Sequence, residues 1–458
     1  MNECKVPRIM FTAAKSGGGK TTVTCAVLQA LKNRNLAVTS FKCGPDYIDP
    51  MFHRNVIGMP SRNLDLFMLS EDTVIDLLCR NTKDSDIAVM EGVMGFYDGA
   101  GSAGMKASSY DLSKLTSTPS VLIVDCKGAA VSSVALIKGF FEYTGDNTLK
   151  GVILNNISER YYHELKKLIE TELGIRVYGY LPHMKDCELK SRHLGLITAD
   201  EIEDLKTVLK KLGEQAEKSI DIDELLSLSK KSEPLKYTFE DVLCEEKRLR
   251  IGVANDKAFC FYYQDGLDLL ERLGAEIINF SPLDDDCLPD DLDGVIIGGG
   301  YPELYAGELA ENVTFKDSLK KHIEDGMPCF AECGGFMYLH DSIESQEGIK
   351  YEMCGIFNAH SFKTEKLQRF GYIELIANVD NILSKCGEII KAHEFHYWDS
   401  TQRQDVYSAE KSDGRHWGAF SAYKNTLAGY PHIHLYSNRS FAESFIRVCD
   451  LYSAKRRR

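Results

Sequence analysis

A glycine-rich loop near the start of the chain is the feature that most limits its fold. The loop reads AAKSGGGKTT from Ala13 to Thr22; the apolar run Ile9 to Phe11 precedes it and the helix-compatible run Val23 to Leu31 follows it. Strand, glycine loop and helix in this order form a phosphate site, because backbone N–H groups and the helix N-terminus point at the anion. The sequence therefore predicts a nucleotide-binding α/β domain.

Individual residues of the loop have distinct expected roles. Those expected to bind the nucleotide are Lys15, Gly17, Gly18, Gly19, Lys20, Thr21 and Thr22. Lys20 would neutralise charge on the β- and γ-phosphates, and the Thr21 hydroxyl would be a ligand of Mg²⁺. Lys15 stands five residues before Lys20, where the deviant Walker loops of partitioning ATPases carry a second phosphate-contacting lysine. An ordinary glycine-rich surface loop would not explain the strand before it and the Lys-Thr-Thr after it.

Short apolar runs alternate with helical patterns through the front half. These runs are Ile9–Phe11, Val38–Phe41, Ile87–Met90, Val121–Val124, Val152–Leu154 and Val177–Tyr180. Continuous apolar runs of this length indicate parallel strands buried on both faces. The predicted fold class of the front half is a doubly wound α/β domain of the P-loop NTPase type.

A second α/β series follows a lysine- and glutamate-rich stretch. Its predicted strands are Arg250–Ala254, Glu276–Phe280, Gly294–Ile297 and Cys329–Ala331, and the runs Tyr372–Ile376 and Gly418–Ala422 would suit added strands of a mixed sheet. We predict a synthetase domain over residues 1–228, a linker over 229–247 and a second α/β domain over 248–458.

Two carboxylates come directly after predicted strands of the front half. Asp46 follows the second strand and Glu91 ends the third. Alone, each would be a turn residue or a helix cap. Because strand ends beside a phosphate loop meet at one edge of the sheet, we expect both to join Thr21 in a Mg²⁺ site. Asn155 follows the fifth strand, where it could bind an adenine edge or simply form a turn.

The second domain carries a candidate nucleophile. Cys333 in AECGG stands between an apolar strand and a helical run, which suits a sharp elbow with helix amides directed at the sulfur. His432 is the expected general base, and Gly299 and Gly300 could supply oxyanion-binding amides. His434 takes the place where class I glutaminases often have a glutamate, so we expect a Cys-His dyad rather than a triad.

Composition limits the partners and the compartment. The formal net charge of −14 argues against a large nucleic-acid or acidic-membrane surface. No apolar signal-type segment and no apolar stretch long enough to cross a membrane is present in the sequence. The 14 cysteines lack paired metal-type spacing, so we expect reduced thiols and a cytoplasmic protein. A homodimer is a possible assembly.

Seven motifs, in order along almost the whole chain, carry a family resemblance. They are FKCGPDYIDPMFH (41–53), EGVMGFYDG (91–99), SRHLGL (191–196), AFCFYY (258–263), GGGYPE (298–303), AECGG (331–335) and HEFHY (393–397). With them the chain resembles the cobyrinate a,c-diamide synthases of corrin biosynthesis. The resemblance implies a dethiobiotin synthetase-like front domain and a class I glutamine amidotransferase-like rear domain.

The resemblance also implies a reaction and its participants. The substrates would be cobyrinic acid, glutamine and ATP with Mg²⁺, and two acetate side chains would be amidated through acyl phosphates. The residues implied to bind nucleotide and metal are Lys20, Thr21, Asp46 and Glu91. Those implied near the accepting carboxylate are Lys42, Tyr47 and Asp49. Cys333 would carry a glutamyl thioester and His432 would shuttle its proton.

Other functions stay open at this point. The same chemistry could act on hydrogenobyrinate or nickel sirohydrochlorin, or on the other side chains that a cobyric acid synthase amidates. A different class is a partitioning-type ATPase switch with a degenerate rear module. That protein would hydrolyse ATP without glutaminase activity, and loss of Cys333 would have no effect on it.

Overall fold

The computed structural model of the protein describes residues 2–101, 104–187, 191–192, 195–196, 205–238 and 248–457. The chain divides into two units, Met1–Glu240 and Asp241–Arg458. His193 and Leu194 of the SRHLGL motif, and residues 239–247 of the predicted linker, lie outside the described residues. Within the described part, no helix is long and apolar enough to cross a membrane.

Strands and helices alternate along the first unit. In chain order its elements are β1 (Asn2–Cys4), β2 (Arg8–Ala13), α1 (Lys20–Asn33), β3 (Val38–Cys43), α2 (Ile48–Phe52), β4 (Ser61–Leu64), α3 (Glu71–Asn81), β5 (Ile87–Glu91), α4 (Ser109–Leu115), β6 (Ser120–Asp125), α5 (Ser132–Glu142), β7 (Leu149–Asn155), α6 (Glu159–Leu173), β8 (Val177–Leu181), β9 (Ser191–Arg192), β10 (Gly195–Leu196), α7 (Leu205–Ser219), α8 (Ile222–Ser229) and β11 (Leu235–Tyr237). A π-helical turn, His53–Ile57, follows α2.

A seven-stranded parallel sheet in the order β4-β3-β5-β2-β6-β7-β8 forms the centre of this unit. Helices α1, α7 and α8 bury apolar residues against one face, and α5 and α6 against the other. Strands covered on both faces need continuous apolar runs, which is why all six predicted strands are found here. The seventh, β4, reads SRNL and has too few apolar residues to be predicted.

Part of the predicted linker is structured within the first unit. Strand β11 pairs antiparallel with β1, with Cys4 opposite Leu235 and Asn2 opposite Tyr237. Leu235 is buried at this pairing. Strand β1 therefore pairs with the last strand of the first unit in a separate two-stranded sheet and does not join the central sheet.

The second unit also begins with alternating strands and helices. Its elements are β12 (Leu249–Ala254), β13 (Phe259–Phe261), α9 (Gln264–Arg272), β14 (Ala275–Phe280), β15 (Gly294–Ile297), β16 (Gly299–Gly300), α10 (Ala306–Glu311), α11 (Val313–Glu324), β17 (Cys329–Glu332), α12 (Gly334–Tyr338), β18 (His340–Glu344), β19 (Lys350–Glu352), β20 (Phe357–Lys363), β21 (Phe370–Ala377), β22 (Ile389–Phe395), β23 (Trp398–Ser400), β24 (Tyr407–Glu410), β25 (His416–Ala419), β26 (Ser421–Tyr423), β27 (Thr426–Gly429), β28 (His432–Ile433) and α13 (Arg439–Arg456).

Its central sheet has the order β14-β12-β15-β17-β27-β26, and only β26 runs antiparallel to its neighbour. The predicted run Tyr372–Ile376 lies instead in β21, in a separate antiparallel sheet of order β25-β24-β21-β22-β28. Burial alternates along β21, as expected for a sheet with one covered face. The run Gly418–Ala422 is divided between β25 and β26 by Phe420, whose φ is 56°.

Candidate active sites

The glycine loop of the first unit passes from the end of β2 into α1. Gly17 and Gly19 have φ of 72° and 89°, values that favour glycine. A Cβ on Gly19 would overlap Nδ2 of the buried Asn155, so any larger residue here would require that side chain to move. Asn155 thus contacts the phosphate loop itself. A Cβ on Gly18 would lie 3.1 Å from the Ala13 Cβ, so this part of the loop is also closely packed.

Lys20, the first residue of α1, is directed back into the loop. Its Nζ donates to the carbonyls of Lys15, at 3.2 Å, and Met94. Burial and the nearby Lys42 lower the pKa of Lys20 to about 8, against the opposing effect of Glu91. The Lys15 side chain is exposed, and the backbone carbonyl of that residue is what contacts Lys20. A buried cation held by neutral carbonyls is well placed to exchange them for phosphate oxygens.

The predicted acidic residues meet around one lysine. Lys42 on β3 is paired in register with Glu91 on β5, and its Nζ lies 2.8 Å from Glu91 Oε1. The same ammonium donates to Asp49 and lies 3.8 Å from Asp46 Oδ2. Thr21 Oγ1 donates to Glu91 Oε1 at 2.7 Å. Residues from the loop, both strands and α2 therefore share one acidic cluster.

The charges of this cluster are not balanced by the lysine alone. Burial and the Asp49 charge raise the pKa of Glu91 to about 7 and that of Asp46 to about 6. Burial alone would also raise the pKa of Asp49, but the Lys42 ammonium holds it below its usual range. Three carboxylates around one ammonium favour an additional cation, because each added positive charge keeps them ionised.

The chemistry of these residues fits Mg²⁺. Thr21, Asp46 and Glu91 offer oxygen donors, and the buried Glu91 Oε2 receives no hydrogen bond from the described residues. The described residues form no ready-made group of three or more His, Cys, Asp or Glu around one metal position. In proteins Mg²⁺ is usually held by one or two carboxylates together with substrate phosphates and water, and Asp46 and Glu91 are carboxylates of this kind.

His53 is a residue of this site that we did not single out from sequence. It is fully buried, its Nδ1 lies 3.0 Å from Ser40 Oγ, and its Nε2 lies 3.9 Å from Glu91 Oε2. Burial lowers its pKa to about 4. The signal was available, since His53 is the last residue of the motif that contains Asp46 and Asp49. Tyr47, between these aspartates, is buried immediately before α2.

Cys333 of the second unit lies at a sharp turn between β17 and α12. Its φ of 46° and ψ of −101° are unusual for a residue with a Cβ. Its N–H donates to the Gly429 carbonyl at 2.7 Å. A Cβ on Gly335 would lie 2.1 Å from the Ile297 carbonyl, so this glycine allows the helix to start against β15. Cys329 is fully buried within β17.

His432 lies next to the elbow. The ring is buried and hydrogen bonded to the Cys333 side chain. Although burial opposes it, the contacts with Cys333 and Glu332 raise the pKa of His432 to about 10. A Cβ on Gly299 would lie 2.6 Å from His432 Cε1 and 3.5 Å from Cys333 Cβ. The predicted nucleophile, base and first oxyanion glycine are therefore in mutual contact.

The elbow is also close to the second oxyanion glycine. The Gly300 nitrogen is 3.1 Å from the place of a Cβ on Gly334, the first residue of α12. A Cβ on Gly300 itself would overlap the carbonyl oxygen of Ala258, the residue that precedes β13. Strand β16 therefore lies against the first residue of α12, beside the nucleophile elbow.

Glu332 is a second residue missed from sequence, and His434 does not take its place. Glu332 Oε2 lies 3.7 Å from His432 Nδ1. His434 is fully buried, its ring centroid is 4.8 Å from that of Tyr263, and its Nδ1 accepts a 3.3 Å hydrogen bond from the Tyr436 N–H. The expected dyad therefore has an acidic neighbour, contributed by the residue that precedes the nucleophile.

A phosphate loop with an acidic cluster, and a cysteine elbow with a histidine, together define a nucleotide-binding ligase with a glutamine amidotransferase domain. Residues 9–197 match the CobQ/CobB/MinD/ParA nucleotide binding domain, and residues 250–440 match the CobB/CobQ-like glutamine amidotransferase domain. The cobyrinate a,c-diamide synthase of Caldanaerobacter subterraneus subsp. tengcongensis is 42% identical over 99% of this chain and 100% of its own length. That of Thermoplasma volcanium is 40% identical over 99% of both chains. The chain belongs to the cobyrinate a,c-diamide synthase family.

Proposed function

We propose that the two units divide one reaction, with carboxylate activation in the first and ammonia release in the second. The overall reaction follows from the family: the protein is a cobyrinate a,c-diamide synthase, which amidates cobyrinic acid with glutamine as nitrogen donor. The contact of Cys333, His432 and Gly299 is the observation that carries the division of labour. These three residues would form the amide-cleaving site of the second unit.

In the first unit, we infer that the glycine loop holds ATP by its phosphates. Lys20 would exchange its carbonyl partners for the β- and γ-phosphate oxygens, supported by the helix N-terminus of α1. The accepting carboxylate of the substrate would attack the γ-phosphorus to form an acyl phosphate and ADP. Lys42, the neighbouring Asp49 and Tyr47 would position that carboxylate.

We further infer that Thr21, Asp46 and Glu91 hold the Mg²⁺ that accompanies ATP. When bound, the ion would offset negative charge on the phosphates during transfer. Before the nucleotide arrives, the Lys42 ammonium keeps Asp49 ionised, and its pairing with Glu91 opposes the effect of burial on the pKa of that carboxyl. The first unit is thus organised to receive a negatively charged ligand and its cation together.

In the second unit, the thiolate of Cys333 would attack the amide carbon of glutamine. Amide N–H groups of Gly299 and Gly300 would stabilise the oxyanion, and His432 would donate the proton that allows ammonia to leave. Water activated by His432 would then cleave the glutamyl thioester to glutamate and free thiol. Ammonia finally displaces phosphate from the acyl phosphate, which gives the amide and inorganic phosphate.

Cys333→Ala tests this division. We expect glutamine-dependent amidation to be lost, whereas amidation driven by added ammonium with ATP is retained, because the first unit keeps all of its residues. Cys329→Ala, four residues away in the core, is the matched control and should keep both activities. Loss of both activities in a folded Cys333→Ala protein would contradict the proposal.

Mass spectrometry of the same reactions identifies the substrate. Cobyrinate, hydrogenobyrinate and nickel sirohydrochlorin should each be incubated with ATP, Mg²⁺ and glutamine. We expect cobyrinate to exchange hydroxyl for amino twice. Preferential turnover of hydrogenobyrinate or nickel sirohydrochlorin would contradict cobyrinate as the substrate but would not contradict the proposed amidation chemistry.

We also propose that the reaction takes place in the cytoplasm. All cysteines in the described part of the chain are free thiols, as expected in a reducing compartment. The homodimer stays a prediction.

A further inference from the structure

We propose that Glu332 is the positioning residue of the glutaminase site, orienting His432 and stabilising its protonated form. This inference rests on the proposed roles of Cys333 and His432 and adds the group that completes them. The acidic residue, Glu332, immediately precedes the nucleophile Cys333. The sequence pattern of class I glutaminases would instead place it two residues after the base, where this chain has His434. A Cys-His-Glu arrangement thus forms with an unusual chain order.

The Glu332 carboxylate contacts two adjacent residues of β28. Its Oε1 accepts a 2.7 Å hydrogen bond from the Ile433 N–H, and its Oε2 lies 3.7 Å from His432 Nδ1. The Glu332 side chain is 9% exposed and that of His432 4%, so water screens the pair poorly. The backbone bond anchors one oxygen and leaves the other directed at the imidazole.

The fold explains how this carboxylate reaches the ring. Glu332 is the last residue of β17, in register with Gly429 at the end of β27. The chain then turns and returns as β28, in which His432 pairs with His393 of β22. Strand pairings of β17 with β27 and of β28 with β22 therefore fix the relative positions of acid and base.

The other ionisable groups around His432 cannot replace Glu332. Cys333 contacts the ring from the elbow and is the proposed nucleophile. His393 faces it from β22, and burial, followed by the charge of His432, lowers the pKa of His393 to about 3, so this neighbour stays neutral near pH 7. His434 Nδ1 accepts a hydrogen bond from the Tyr436 N–H, and burial lowers the pKa of His434 to about 3. Glu332 is thus a negatively charged group placed on the Nδ1 side of the ring.

A carboxylate at Nδ1 has a defined chemical effect. It favours the tautomer with hydrogen on Nδ1, which leaves Nε2 to take the thiol proton, and it stabilises the imidazolium that results. The 3.7 Å separation is longer than a hydrogen bond. Catalytic hydrogen bonds are often long before substrate binds and shorten in the complex, and here a movement of less than about 1 Å is sufficient.

Glu332→Gln separates charge from structure, because the amide oxygen can still accept the Ile433 N–H. We expect kcat for glutamine hydrolysis to fall by about 10²-fold with little change in KM, since general acid–base catalysis contributes about 10²–10⁴-fold. The alkaline limb of the pH–rate profile should move to lower pH, because His432 loses the charge that stabilises its protonated form. Amidation driven by ammonium should be unchanged.

Asp293→Asn is the matched control. Asp293 is a fully buried carboxylate of the same unit that accepts a backbone N–H, from Arg250 at 3.0 Å, at the opposite end of the central sheet. Its variant should keep the wild-type pH profile. Glu332→Asp retains the charge and should recover an alkaline limb near that of wild type, even if kcat stays reduced.

A wild-type kcat and pH profile in Glu332→Gln would overturn the inference. If that variant does not fold, judged by near-ultraviolet circular dichroism, Glu332→Asp decides: a shifted alkaline limb despite the retained charge would overturn it. Failure of the underlying proposal is distinguishable, because Cys333→Ala would then keep glutamine-dependent activity.

Discussion

Gly299→Ala offers a steric test of the glutaminase site. The added methyl group would lie 2.6 Å from His432 Cε1, 3.4 Å from Phe261 Cδ2 and 3.5 Å from Cys333 Cβ. Gly299 does not have a positive φ, so its backbone is not in the left-handed region that disfavours alanine. The effect of the substitution is therefore the contact with His432.

The size of the effect follows from that distance. Carbon atoms in contact are about 3.5–4.0 Å apart, so the histidine ring must withdraw by about 1 Å. A displacement of about 1 Å in a catalytic group can cost about 10²-fold in rate, which corresponds to about 2.7 kcal/mol in the barrier. Crowding at such a site costs about 1–3 kcal/mol of stability, so most molecules should remain folded.

The assay compares two nitrogen sources. Glutamate release from glutamine should fall by about 10²-fold in Gly299→Ala, whereas ammonium-driven amidation should be unaffected. Gly307→Ala, in helix α10, is the control. The nearest atoms to its added methyl group belong to the Tyr351 ring, at an ordinary contact distance of 3.5 Å. Wild-type glutaminase activity in a folded Gly299→Ala protein would refute the proposed contact between this turn and the catalytic histidine.

Two further substitutions probe charge in each unit. Asp46→Asn keeps the acceptor for the Ile48 N–H, at 2.9 Å, but removes a charge from the proposed Mg²⁺ site, so the Mg²⁺ concentration for half-maximal amidation should rise by about tenfold or more. An unchanged requirement in a Mg²⁺ titration would contradict that site. His434→Asn keeps the acceptor for the Tyr436 N–H and removes a group whose pKa burial lowers to about 3. The unfolded chain binds a proton there below about pH 6.5 and the folded chain does not, so wild type should lose about 1.4 kcal/mol of stability for each pH unit below about 6.5. The variant should not show this loss, and urea unfolding at pH 5 and pH 7 should therefore give a difference of about 2 kcal/mol between the two proteins. Equal losses of unfolding free energy in wild type and His434→Asn would contradict the lowered pKa of His434.

The central sheets could be predicted because burial on both faces produces unbroken apolar runs. Every strand predicted in the front half is found, as is each of the four strands predicted at the start of the rear half. Strand β4 was missed because it lies at a sheet edge with a polar sequence. The separate antiparallel sheet around β21 was missed for another reason: alternating burial identifies a half-covered strand but not the sheet to which it belongs.

The acidic cluster was predicted as a set of residues but not as an arrangement. Strand ends beside a phosphate loop pointed to Asp46 and Glu91, yet the position of Lys42 depends on register. Because Lys42 pairs with Glu91 across β3 and β5, its ammonium lies among the carboxylates. Register is set by packing of the whole sheet, which no local pattern reports. His53 depends similarly on a π-helical turn after α2.

Glu332 shows most clearly where local patterns stop being informative. In a regular strand, neighbouring side chains point to opposite faces, so a residue next to the nucleophile would be directed away from the catalytic base. Here the strand ends between the two residues, and the φ of 46° at Cys333 changes the direction of the chain. Cys333 and Glu332 can then both face His432. The backbone conformation that exposes the nucleophile is therefore also what allows its predecessor to act on the base, and a substitution that relaxes the elbow should impair both functions together.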